Sequence, residues 1–509
     1  MTTGTLTPEL QAFADTVVER KLKNGLTVLM IPREGVATVH FAMAFGVGAV
    51  DEPDGRTGIA HLYEHMAFKG TEVVGTKGWR KERPLLRKLD ALDAAMMAER
   101  ARGLAADTGR IDRLKRSFDK IEARAEKLVE PNEFDRVYAR SGGQWLNAFT
   151  SQDMTCYIIA LPSNRVRLWT AMEGARVRCP VLRQFYRERN VVIEELRIGR
   201  DNPHWRLYEE LEVLAFTAHP YRVPVVGWLS DLQRMTRADL EGFFRSRYRP
   251  DRAVIAAVGA IGKDTFRLIE REFSGWKVPG EPPRPVVTVE PEQNGERRAA
   301  VHMQANPALA IGWPIPTWGH ADKAALDALS SILGNGQSSR LHTGLVKKRR
   351  VAVSAAAFTE FPGERYPNLL TAMAWPLAPH TPAECEAAVY EEIEAVIRDG
   401  VTPREVAKVA NLLEAQRFQQ LQDNTFMAAE LAGAQATLGD WRTRLRWVGD
   451  LRKLTPDDVL RVARAYLMPR RRSVVTLLPT ESPGQPGLGV PASAGTPGPG
   501  PVLPEHPDA

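Results

Sequence analysis

The chain has 509 residues, 44% of them hydrophobic and 26% charged, and its 68 bases against 62 acids leave a formal net charge of +6. There is enough apolar material for sizeable cores and no run of 18 apolar residues, which excludes a wholly disordered, collagenous or membrane-spanning chain. So small an excess of positive charge over this length describes a solvated surface, not a nucleic-acid partner. Length alone suggests about three domains. The three cysteines, Cys156, Cys179 and Cys385, cannot all pair, and none sits in a CxxC. Neither a disulfide scaffold nor a thiolate metal site is expected. The opening MTTGTLTPEL lacks a basic stretch followed by an apolar one, which points to the cytoplasm, or to the periplasm if the start is misassigned.

In chain order, Asn24-Gly25 marks a hairpin turn before the strand LTVLMI, and VATVHFAMAFGVGA follows as a further strand. GIAHLYEHMAF has the pattern of a helix. Residues 80–130 carry two charge-rich segments with apolar residues at three- and four-residue spacing. Leu85, Leu89, Leu92 and Met96 form one stripe, and Leu114, Phe118, Ile121, Ala125 and Leu128 form the other. With Asp107–Gly109 between them they read as an inserted amphipathic helical hairpin packing its own stripes. Strands are expected at Val254–Val258, Leu309–Trp313 and Val474–Leu478, with helices between them. Hairpins plus long helices indicate α+β rather than a doubly wound sheet.

Two stretches repeat. MTRADLEGFFRSRYRPDRAVIAAV and LTPDDVLRVARAYLMPRRRSVVTLL align Thr236 with Thr455, Asp239 with Asp458, Pro250 with Pro469 and Arg252 with Arg471, each pair 219 positions apart. Each threonine is an N-cap, each proline ends a helix, and a β-branched run follows as a strand. This predicts two homologous halves. Residues 276–296, with five prolines, form a linker, and residues 481–509, with eight prolines and six glycines, a disordered tail.

His61-Leu-Tyr-Glu64-His65 carries the chemistry. On a helix, His61 and His65 lie one turn apart on one face, where two imidazoles reach one ion. Glu64 stands beside them, within reach of a water molecule, where a general base is needed. Zinc requires a third protein ligand. The helix-forming stretch ERNVVIEEL supplies Glu188 and Glu195, two turns apart along one face, with Glu194 rotated away by about 100°. One of the pair would bind metal while the other orients ligands.

These residues resemble the pitrilysin/insulinase family of zinc peptidases, the inverzincins with an inverted HxxEH motif, and among them the processing-peptidase-like bacterial members. HMAFKGTE, GGQWLNAFTS, ERNVVIEEL, HPYRVPVVG and LGNGQSSRL carry the resemblance, which spans about residues 17–480. It implies two homologous α+β domains, each a mainly antiparallel sheet packed with helices, facing across a chamber. Residues 17–275 would be the zinc-binding domain with its hairpin, and 297–480 a degenerate copy. It implies one Zn2+ per chain on His61, His65 and Glu195, Glu64 as general base and Glu188 supporting the ligands. Asn147, Ala148 and Phe149 would form the edge strand on which an extended peptide lies. Without the resemblance, Phe149 reads as a core residue.

The chain departs from the pattern in two places. The hairpin separating the HxxEH helix from the Asn-Ala-Phe strand is longer than in typical members. Single-chain members also carry an Arg and a Tyr seven apart in the second domain, and here those positions are Val346 and Val353. Neither can donate a hydrogen bond, and Lys347, Lys348, Arg349 and Arg350 stand elsewhere on the segment. The expectation is a zinc endopeptidase for peptides or unfolded polypeptides. A second, zinc-free family-related subunit would supply the Arg/Tyr pair, or the chain would pair with its own copy as a homodimer. The alternative is a non-catalytic scaffold or a partner-dependent subunit of a heterodimeric peptidase.

Overall fold

In the computed structural model, residues 6–277, 280–281 and 283–480 are described; the tail expected over 481–509 lies outside them. A capping box repeated in the two halves gives the clearest local cause of the architecture. Thr236 accepts the Asp239 amide and Thr455 the Asp458 amide, while each aspartate accepts the threonine N–H in return. The helices Arg237–Arg247 and Pro456–Tyr466 start there. Pro250 and Pro469 then open short turns leading into strands. These two strands are β6 (Ala253–Gly259) and β11 (Ser473–Pro479) in the numbering of the sheets below.

The first sheet holds β1 (Val18–Lys21), β2 (Thr27–Pro32), β3 (Thr38–Phe45), β4 (Gln144–Thr150), β5 (Thr155–Pro162) and β6, in the order β1-β2-β6-β3-β5-β4. The second holds β7 (Arg297–Met303), β8 (Ala308–Ile315), β9 (Ala352–Phe361), β10 (Asn368–Pro376) and β11, in the order β7-β11-β8-β10-β9. Without β1 the two orders are the same, down to the single parallel pair, β2 with β6 and β7 with β11. The last strand of each half is thus inserted beside the first, the same path taken twice. The Asn24-Gly25 turn joins β1 to β2, with Gly25 at φ +96°, while β2 and β3 are parted by β6.

One face of the first sheet is covered by helices of its own half, among them Ile59–Met66, Val166–Arg178 and Thr265–Phe273. Its other face is covered by a helix from the second half. Met427, Ala428, Leu431, Ala432 and Ala434 of Asn424–Leu438 pack on Leu29, Ala42, Ala44, Val254 and Ala256. The second sheet is treated reciprocally. Its own helices cover one face, and Leu207, Leu211 and Ala215 of Pro203–Ala215, from the first half, pack on Val301, Ala310, Met373, Val475 and Leu477. Each half therefore lends one helix to the other's sheet. Between Phe273 and β7 the described residues form neither helix nor strand, and the Glu290 carboxylate ties them down by accepting the amides of Thr217, Ala218 and His219.

The inserted arm is a hairpin of helices Trp79–Arg100 and Thr108–Glu126, the second capped by Asp107. Leu85, Leu89, Met96, Phe118 and Ala125 are buried, as their spacing requires. No helix among the described residues is long and apolar enough to cross a membrane.

Leu211 tests the helix exchange. It is fully buried against the second sheet, far along the chain from it. L211A should lower the unfolding free energy by about 2–5 kcal/mol, read by denaturant titration, in a single transition for both halves. Separate transitions for the two halves would contradict the exchange.

Candidate metal centre

The HxxEH residues lie on the helix Ile59–Met66. Its N-terminus is held from outside: the Glu52 carboxylate accepts the Gly58 and Ala60 amides at 2.7 and 2.8 Å. Gly58 lies at φ +83°, and a Cβ there would meet the Val226 carbonyl at 2.3 Å. The loop carrying Val226 and Gly227, in the HPYRVPVVG stretch, thereby docks directly on the helix start. Leu62, Tyr63 and Met66 bury the other side of the helix in the first core.

Glu188 and Glu195 lie on the helix Phe185–Asp201, packed against the first. Ligand atoms of His61, His65 and Glu195 all fall within 4.8 Å of one another. His61 Nε2 stands 3.6 Å from Glu195 Oε1, and His65 Nε2 3.5 Å from Glu195 Oε2. Tetrahedral ligands each about 2.1 Å from zinc stand about 3.4 Å apart, so the donor set fits that ion in both chemistry and spacing. Glu194 turns outward to Arg197, as its helical position predicts.

Glu188 lies behind the donors. One of its oxygens is 3.9 Å from His65 Nδ1 and the other 2.7 Å from Lys69 Nζ, and Lys69 follows His65 by one turn. Burial works against its ionisation, but His65 and Lys69 hold its carboxyl below the usual range. Burial likewise opposes charge on His65, yet Glu188, Glu195 and Glu64 outweigh it and lift the imidazole to about 9. His61 is depressed, by burial first and by the charge of His65 second.

A buried arginine fixes the surroundings. Arg183 is 1% exposed and donates to Glu82 of the hairpin at 2.9 Å, and to the carbonyls of Thr71 and Val74 at 2.6 and 3.0 Å. It also donates to the carbonyl of Lys69. The hairpin thus braces both the turn after the HxxEH helix and the start of the glutamate helix, where Asp90 accepts from Tyr186 and Gln184 donates to Glu126.

Strand β4 is an edge of the first sheet. Ala148 is buried in the core cluster that holds the HxxEH helix, whereas Phe149 packs on the opposite face, in the cluster covered by the lent helix. The alternation of a strand puts Asn147 with Phe149 and Thr150 with Ala148. Asn147 Oδ1 accepts the Ala148 amide at 2.8 Å. Thr150 Oγ1 reaches the HxxEH helix and donates to Glu64 Oε2 at 2.7 Å. Sequence reasoning passed over Thr150, Lys69 and Arg183. Spacing from Ala148 and from His65 signals the first two, whereas nothing local signals Arg183.

In the second half, Val346 packs against its core and Val353 is half exposed on the edge strand β9. Of the neighbouring cations, Arg349 is committed to Glu391 and Glu392, and Lys347 to the Gln337 carbonyl.

Two family models match the chain. One described as insulinase (peptidase family M16) covers residues 27–92, and one described as the peptidase M16 inactive domain covers 234–413. The chain is similar to the zinc protease PqqE of Helicobacter pylori, 28% identical over 472 residues that make up 90% of this chain and 92% of that one. The crystal structure of a protease from Helicobacter pylori matches it with a TM-score of 0.75 at 25% identity, over 91% of this chain and 99% of the other. The periplasmic protease PqqL from Escherichia coli shares the fold with a TM-score of 0.68 at 16% identity, and there the match covers 91% of this chain but 48% of PqqL.

The donor geometry predicts how metal binding responds to substitution. H65A and E195A should abolish tight zinc binding, measured by competition with a chromophoric chelator. E188Q should weaken it by roughly 10- to 100-fold, because the support of His65 is lost while the donors remain. Unchanged affinity in E195A would move the metal elsewhere.

Proposed function

This chain belongs to the pitrilysin/insulinase family of zinc peptidases, and on that premise we propose that it is a zinc-dependent endopeptidase acting on peptides or unfolded polypeptides. The observation that carries the proposal is the convergence of His61, His65 and Glu195 within 4.8 Å, with Glu64 on the same helix beside them. A scaffold has no use for this set of donors together with an adjacent base.

Zinc, when held by His61, His65 and Glu195, supplies a Lewis acid for the scissile carbonyl and for water. Glu64 takes a proton from the attacking water on its carboxylate and delivers it to the nitrogen of the leaving amine. Glu188 holds the Nδ1 side of His65, so that Nε2 stays turned toward Glu195. The edge of β4 at Asn147, Ala148 and Phe149 offers backbone groups to which an extended peptide adds as a further strand. Of those three residues Ala148 faces the HxxEH helix, and its small side chain leaves room there. In this reading residues 17–275 carry the chemistry and 297–480 support it.

Val346 and Val353 leave the chain without the Arg/Tyr donors of single-chain relatives. We infer that a second, related subunit carrying such donors completes the site, since a second copy of this chain would bring the same two valines. The likeness to PqqL, in which this fold accounts for about half of a longer chain, supports that inference.

E64Q should keep its zinc and lose turnover by roughly 10²- to 10⁴-fold, assayed on an unfolded polypeptide. A chelator should abolish wild-type turnover and added zinc restore it. Wild-type turnover in E64Q would sink the peptidase reading. The subunit inference predicts that the monomer isolated by size exclusion is slow and that a zinc-free relative carrying the Arg/Tyr pair speeds it. Full activity in the isolated monomer contradicts it.

A further inference from the structure

We propose that Thr150 is the positioning residue for Glu64, holding the carboxylate by one hydrogen bond from a turn that both halves of the chain clamp. The proposal rests on the reading of Glu64 as the base. Thr150 Oγ1 donates to Glu64 Oε2 at 2.7 Å, and among the described residues no other hydrogen bond reaches that carboxylate. A threonine hydroxyl has one proton to give. Given to Oε2, it orients the carboxylate plane and leaves Oε1 as the oxygen that takes a proton from water. An O–H donor to a carboxylate forms one of the stronger hydrogen bonds available. Such a bond holds in one rotamer a flexible side chain that is otherwise only partly buried at a helix surface.

A positioning donor must itself be fixed, and this one is. Thr150 is paired with Thr155 across the base of the turn 151–154. Thr155 Oγ1 bonds the Val47 carbonyl and the Tyr248 hydroxyl, each at 3.0 Å. Inside the turn, Ser151 Oγ accepts the amides of Asp153 and Met154, each at 3.2 Å. The Ser151 and Gln152 carbonyls accept the amides of Ala49 and Val50 at 3.2 and 2.9 Å. Asp153, 2% exposed, then meets the second half. One oxygen accepts the Tyr221 hydroxyl at 2.6 Å, and the other accepts the amides of Glu364 and Arg365 at 2.6 and 3.0 Å. Arg365 in turn pairs with Asp51 at 2.8 Å. The loop at 363–366 comes from between β9 and β10, so the second sheet reaches the base through three residues of turn.

The test compares T150V, which keeps the shape and removes the donor, with T150S, which keeps the donor. Zinc-loaded T150V should lose about 10- to 100-fold in kcat on an unfolded polypeptide with KM and zinc content unchanged, and T150S should stay within about threefold of wild type. Equal losses in the two variants would indicate that the methyl group matters, not the hydroxyl, and would overturn the proposal; so would wild-type kcat in T150V. Crystal structures provide a readout independent of turnover: the Glu64 carboxylate should leave its place in T150V and keep it in T150S. A Glu64 that stays put in T150V overturns the proposal whatever the rates are. E64Q run alongside separates the two failures. Wild-type turnover in E64Q removes the base itself, whereas a dead E64Q beside a fully active T150V removes only the role of Thr150.

Discussion

Two imidazoles and two carboxylates are held together in a half-buried crevice, and much of the surrounding structure exists to keep them there. Left alone, such a group of lone pairs and negative charges would separate or take up protons, because burial penalises each charge that is not paired. His65 shows the tension: burial pushes its pKa down, and three glutamates push it to about 9. A dication held by His61, His65 and Glu195, as proposed, would relieve that tension. Lys69 performs the same service for Glu188 from behind.

Holding two helices at this separation requires support from outside both. Glu52 and the Val226–Gly227 loop fix the start of the HxxEH helix. Arg183 and the inserted hairpin fix the turn that follows it and the start of the glutamate helix. The Arg183–Glu82 pair is fully buried, so removing either partner would strand a charge in the interior. The exchange of helices between the sheets couples the halves further. The sheet against which the HxxEH helix packs is covered on its other face by a helix of the other half, and that other half also clamps the turn beside Thr150. The second half, which adds no residue to the His61, His65 and Glu195 cluster among the described residues, thus still bears on the geometry of the first.

What could be read from the sequence is what local spacing encodes. His61, Glu64 and His65 follow from the helical period, and so does the outward turn of Glu194. The capping boxes at Thr236 and Thr455 follow from side-chain chemistry within a single turn, and the hairpin from its two apolar stripes. What could not be read depends on contacts between distant segments. No periodicity in PHWRLYEELEVLA says that Leu207 and Leu211 face the other half's sheet, and none announces that β6 slips between β2 and β3. Phe149 shows the middle case. Strand alternation was available, but which face the HxxEH helix occupies was not. The structure puts Phe149 on the far face and leaves Thr150, the next residue of the strand, as the side chain that reaches Glu64.

The central claim is that His61, His65 and Glu195 form one zinc site, and diffraction at the zinc absorption edge tests it most directly. Crystals of the zinc-loaded protein should show a single strong anomalous peak per chain, about 2.1 Å from His61 Nε2, His65 Nε2 and a Glu195 carboxylate oxygen. A peak bound by other residues, or none at these three under saturating zinc, would contradict it.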